Sequence, residues 1–215
     1  MRTVKAHKGC DDRQRGYALV SLLALMSLLA MFALAVAPRV QQQTQREREK
    51  EALFRGDQVG DAIRAYYRSR GAQGVNALPT SMDQLLEGVQ LPGRTKRLQI
   101  LRPSAARDPL SSDGEWQLIG PTSQDFRGFV QALTLYSGGI PPAPRQEFNA
   151  LASLIPRVSN VLDVESGGSA PSLGSTSSDV SGPFIGVASS SQRDSVISFF
   201  GIERHDEWIF TPMFR

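Results

Sequence analysis

Asp108, Asp113 and Glu115 put three carboxylates into one short stretch, Asp108-Pro109-Leu110-Ser111-Ser112-Asp113-Gly114-Glu115. Closely spaced acids are the raw material of a calcium loop, but calcium takes six to eight oxygens, and three acids are a thin supply. The Asp-Pro and Asp-Gly pairs read instead as a turn, and its acids as solvated. His205 is the only histidine after residue 7. A histidine metal cluster or a histidine-assisted nucleophile therefore has almost nothing to work with, and His205 reads as a lone surface side chain. No phosphate loop or Gly-rich strand-to-helix fingerprint occurs. The expectation is no catalytic residue, no metal ligand and no cofactor.

Composition narrows the classes further. The formal net charge of the 215 residues is +3, with basic residues divided between the first 15 positions and a helix where acids alternate with them. No basic stripe forms, so no nucleic-acid partner is expected. The single cysteine, Cys10, excludes a disulfide framework within the monomer. It precedes the apolar run, where a lipidated cysteine would follow it.

That run, residues 17–37, is YALVSLLALMSLLAMFALAVA, without a charge. As a helix it measures about 30 Å, the thickness of a bilayer core. Ser21 and Ser27 can bond back to carbonyls one turn earlier and so are tolerable in lipid. Three readings compete. A secretory signal would be cut after Ala35-Val36-Ala37, although Pro38 at the next position is a poor fit and the run exceeds a usual signal core. An unprocessed signal anchor needs only the excess of Lys and Arg in residues 1–15, which holds that end in the cytoplasm. The third reading turns on the junction Arg15-Gly16-Tyr17.

At this junction the chain resembles the type IV pilin and type II secretion pseudopilin family: a short basic leader ending in glycine, an aromatic residue, then an uninterrupted apolar helix. The resemblance implies that prepilin peptidase cuts after Gly16 and methylates the new N-terminus, Tyr17. Pro38 is the twenty-second residue counted from Tyr17, where family helices often kink. Ser21 stands where most members carry a glutamate that pairs with a neighbouring subunit's terminal amine. A carboxylate at that depth costs roughly 2.5–3.5 kcal/mol; Ser21 removes both the cost and the pairing, which the resemblance associates with minor subunits.

Residues 39–71 continue as a polar helix rich in strong helix formers. Glu51 and Arg55 are spaced to pair, as are Glu47 with Lys50 and Asp61 with Arg64. The charge run Arg46 to Glu51 reads as a solvated face or as a register device between stacked subunits. Ala52, Gly56, Val59, Ile63 and Tyr66/Tyr67 form an apolar stripe that wants a sheet. Gly56 and Gly60 would let a strand come close, and Gly71 and Gly74 mark the stop.

In residues 72–215, Ser81 and Gln84 have capping-box spacing before a short helix. Glu115–Ile119 and Phe126–Leu135 read as paired strands, and Pro183–Ala188 and Glu207–Phe210 as two more. Trp116 and Trp208 read as core anchors. Phe148–Val161 suggests a short helix broken at Pro156. Residues 137–182, rich in Gly, Ser and Pro, read as a flexible insertion outside the sheet. Gly56-Asp57-Gln58, Leu78-Pro79, Asp108-Pro109, Gly114-Glu115-Trp116, Gly186-Val187-Ala188-Ser189 and Glu207-Trp208-Ile209-Phe210 occur in the order seen in a subgroup of pseudopilin-like proteins.

The resulting expectation is an α+β, pilin-like chain. It has a leader (1–16), a transmembrane or fibre-core helix (17–38), a periplasmic extension (39–71) and a globular domain (72–215). The long N-terminal helix would pack on a small antiparallel sheet. The protein would not be an enzyme. Its partners would be prepilin peptidase, other pseudopilin subunits and the inner membrane. A membrane-anchored sensor or ligand-binding domain, using loop 137–182, is the alternative.

Overall fold

The computed structural model describes residues 12–90, 93, 96–154 and 182–214, with side chains except at 12–15, 33–40 and 154. Most of the expected leader and the greater part of the expected insertion therefore lie outside the described residues. The fold is mixed: helices with small antiparallel sheets. The chain divides into two units, Met1–Gln45 and Arg46–Arg215.

Helix α1, Asp12–Ser69, contributes to both. In the second unit its stripe is the spine of the core: Ala52, Val59, Ala62, Ile63, Tyr66 and Tyr67 are all buried. Tyr67 stacks on Phe148, with ring centroids 4.9 Å apart. Glu51 and Arg55 pair at 2.7 Å. Arg64 instead grips Glu147 with two hydrogen bonds, of 2.7 and 2.8 Å, a fork geometry that Asp61 on the same helix cannot match. The helix stops where Gly71 and Ala72 both take positive φ.

The glycine pair in α1 admits the C-terminal chain. A Cβ on Gly56 would collide with the Phe210 ring, whereas one on Gly60 would lie at ordinary contact, 3.7 Å from the Pro212 nitrogen. Trp116 and Trp208 are buried, each indole N–H donating to a carbonyl, Ala105 at 3.0 Å and Ile202 at 3.2 Å respectively.

The short helix α2, Met82–Glu87, begins after Ser81, but the capping contact is one residue earlier. The Thr80 N–H donates to Gln84 Oε1 at 3.1 Å, and Gln84 Nε2 donates to Thr80 Oγ1 at 2.8 Å. Strand β1, Trp116–Ile119, falls where expected but pairs antiparallel with β2, Gly186–Ser189. The expected strand at 126–135 is a helix, α3, Gln124–Tyr136. Its β-prone composition misleads; the buried Phe126, Phe129, Val130 and Leu133 have helical spacing, and Ser123 Oγ caps the helix by accepting from the Phe126 N–H at 3.2 Å.

The sheet is also not single. A second two-stranded sheet pairs β3, Asp194–Phe199, with β4, Ile202–Arg204. The expected strand Glu207–Phe210 reduces to a 3-10 turn, His205–Glu207, and one bridge between Val187 and Phe210. The expected short helix at 148–161 is a 3-10 helix over Gln146–Leu154, with residues 155–161 outside the described set, and it packs into the core rather than lying in an external insertion. Phe148 and Leu151 are fully buried, and the Arg145 N–H donates to the Met213 carbonyl at 2.9 Å. Apolar side chains in a stretch of low-complexity flanks outweigh those flanks, because each one buried stabilises by about 1.5–3 kcal/mol.

Candidate functional site

The four residues singled out by sequence all fall on α1 within the first unit. Gly16 is exposed, and a Cβ built there meets nothing within 4 Å. Tyr17 is 80 % exposed. Ser21 Oγ donates to the Ala18 carbonyl at 2.9 Å, and Ser27 Oγ to the Leu23 carbonyl at 2.8 Å. Both hydroxyls are thus spent inside the helix, which leaves the surface apolar. Position 38 lies within the bounds of α1, where a proline can offer no N–H to the carbonyl four residues earlier. Its side chain is outside the described set.

From Leu19 to Phe32 the large apolar side chains are exposed, between 54 % and 75 %. Tyr17, Val20, Ser21, Ala24, Leu25 and Leu28 line a shallow trough along one helix face. Among the described residues no helix is long and apolar enough to cross a membrane. Side chains are described from 16 to 32 and again from 41, so the apolar run 17–37 is only partly among them.

In the second unit Asp113 and Glu115 are exposed as expected, and three arrangements appear that the sequence reading did not give. Asp108 is buried, not solvated. Its Oδ2 accepts from Ser189 Oγ at 2.6 Å and its Oδ1 from the Leu110 N–H at 2.9 Å. Burial pushes its carboxyl above the usual carboxylate range, against hydrogen bonds that favour the charge. Asp108 is a clasp between the turn and β2. Among the described residues no three His, Cys, Asp or Glu side chains are grouped to hold a metal.

Glu49 and His205 form the second arrangement. Glu49, read from sequence within a charge run that is either a solvated face or a register device between subunits, is fully buried, and His205, read as a surface side chain, is buried as well. Glu49 Oε1 and Oε2 accept from the successive N–H groups of Val196 and Ile197 at 2.9 and 2.8 Å. Oε1 also lies 3.0 Å from His205 Nε2. The β3–β4 register slips between Asp194 and Phe199; such an irregularity frees strand N–H groups from the ladder, and two of them meet Glu49. The one sequence signal for this was an acid with no apolar neighbour preceding Ala52 on the buried stripe.

The third arrangement is a groove between α3 and the β3–β4 hairpin. On one side of Phe129 is a cavity of about 280 Å³ bordered by Asp125, Asp206 and Glu207. On the other is one of about 290 Å³ bordered by Leu133, Tyr136, Phe199, Phe200 and Phe214. Burial raises the Asp125 and Glu207 carboxyls above their usual range, and the charge of Asp206 adds to both. Sequence reading missed this groove because it placed a strand where α3 lies.

Compared with known proteins, the chain matches no family model, no curated protein and no solved structure.

Proposed function

We propose that the chain is a pseudopilin-like subunit of a type II secretion system or a type IV pilus-like fibre. It is held in the bacterial inner membrane with its N-terminus cytoplasmic and its C-terminal part periplasmic. Prepilin peptidase cuts after Gly16, and the chain starting at Tyr17 joins other pseudopilin subunits in a periplasmic fibre that serves protein export. The finer fold proposed with it is pilin-like, a long N-terminal helix packed on a small sheet.

The observation that carries this reading is the junction Arg15-Gly16-Tyr17 at the head of an uncharged run, with side chains 17–32 turned outward and both serine hydroxyls turned inward. Such a surface is costly in water, at about 25 cal/mol per Å². Lipid relieves that cost first and neighbouring subunits later. The work done is mechanical, with no catalytic residue of its own. Ser21 brings no carboxylate to the fibre core, which suits a minor position rather than the main repeating one.

The test is the N-terminus and intact mass of protein extracted from membranes. A chain beginning at Tyr17, with or without an added methyl, supports the reading, and Gly16→Ala then leaves the chain at full length. A wild-type chain beginning at Met1 leaves a membrane-anchored sensor or ligand-binding domain, and one beginning at Pro38 leaves a secreted protein. Either of those outcomes ends the fibre reading.

A further inference from the structure

The two cavities flanking Phe129 share a wall. Asp125, Phe129, Leu133 and Tyr136 follow one another along a single face of α3, and the hairpin with the turn after it closes the other side. From Asp125 to Tyr136 the helix rises about 16 Å, the length of about five residues of extended chain.

The two ends have opposite character. At the acidic end, Asp125, Asp206 and Glu207 face one cavity, and the basic neighbour Arg204 reaches Asp206 at 2.6 Å and Glu207 at 4.0 Å. One guanidinium for three carboxylates leaves like charges together, and Asp206 Oδ1 is buried without a hydrogen-bond partner. A cation bound in this cavity would relieve the repulsion between the carboxylates. At the other end the lining is mostly aromatic or aliphatic, with Asp57, Ser137 and Thr211 among it, and it stays open: Tyr136 is 65 % exposed and Phe200 39 %.

Phe200 is also held in an unfavourable backbone state. Phe200 and Gly201 form the two-residue turn of the hairpin with φ of 52° and 79°. Such a turn suits Asn-Gly, and a bulky side chain at φ > 0 is an outlier. In this turn the Phe200 ring stands edge-on to Tyr136 and to Phe129, with ring centroids 5.8 and 6.4 Å apart. Strain of this kind tends to persist where it serves recognition.

We propose that this groove binds a short extended peptide of a partner protein, with Arg or Lys at one end and a large apolar side chain about four residues away. Each cavity is the size of one or two side chains, and Phe129 between them suits a passing backbone better than one rigid small molecule. The inference is independent of the fibre reading, since it rests on the second unit alone.

The test uses the full chain in detergent micelles, with empty micelles subtracted, and labelled end-capped peptides followed by fluorescence anisotropy. Arg-Arg-Gly-Gly-Phe-Leu and its reverse order are both used. One order binds, and replacing its arginines by glutamate, or Phe-Leu by Ser-Ser, weakens binding about tenfold or more. Asp125→Asn with Glu207→Gln weakens it similarly and flattens its salt dependence. Tyr136→Ala, at an exposed position, weakens it without changing the salt dependence. No binding by either order overturns the proposal. So does equal binding of the glutamate or serine peptides, or unchanged affinity in variants whose thermal midpoint is no lower than that of the wild type.

Discussion

Glu49 and His205 lie 156 positions apart and meet at 3.0 Å inside the protein, both withdrawn from water. The same carboxylate takes the Val196 and Ile197 N–H groups, so one side chain of α1 ties down strand β3. A buried acceptor of this kind contributes little net stabilisation beyond breaking even, yet its removal is costly, because its partners stay buried without it.

Glu49→Ala is therefore expected to destabilise the protein by roughly 3–5 kcal/mol. Glu49→Gln keeps an acceptor and costs less. Urea unfolding midpoints followed by tryptophan fluorescence check this, since Trp208 lies edge-on to His205, 5.2 Å between centroids. A loss under about 1 kcal/mol for Glu49→Ala would place the clasp outside the cooperative unit.

The two glycines of α1 should respond with opposite signs. Gly60→Ala gains helix propensity and meets only ordinary contacts, so stability rises by about 0.5–1 kcal/mol. Gly56→Ala drives a methyl into the Phe210 ring, and overpacking of this sort costs about 1–3 kcal/mol. Thermal midpoints of the two variants, measured side by side, decide it; a gain at both positions would mean that the Phe210 ring yields freely.

Asp125 carries a pH signature. Its folded pKa is raised, first by burial and then by the charge of Asp206. The folded state thus holds its proton more tightly than the unfolded one, and stability falls as pH rises from the unfolded value through the raised folded one. Asp125→Asn removes this contribution. The variant should gain on the wild type as pH rises through that window and lose its relative advantage below it. Midpoints taken across acidic to neutral pH check the sign; a constant offset would show that Asp125 does not titrate differently on folding.

The local part of the fold was legible and the long-range part was not. The stripe from Ala52 to Tyr67, the strand at Trp116–Ile119 and the indole anchors follow from periodicity and side-chain size, and each is where those rules put it. The α3 segment failed because Phe-Val and Leu-Thr-Leu carry β-propensity, whereas its apolar spacing was helical; burial on one face outweighs propensity. Glu49 failed for a different reason. Its partners are Val196, Ile197 and His205, and nothing near residue 49 in sequence announces them. A short helix from Phe148 was legible, but its Gly- and Ser-rich flanks obscured that it belongs to the core, where Phe148 stacks on Tyr67.

On β3 the Glu49 clasp grips main chain, and its one side-chain partner, His205, lies beyond β4. What Glu49 recognises at 196 and 197 is two N–H groups, which every residue but proline supplies. The outward positions of β3 are consequently unconstrained by the feature that mounts it. Sequence can drift there while the strand stays seated, so the hairpin is a fixed bracket that carries an interchangeable face.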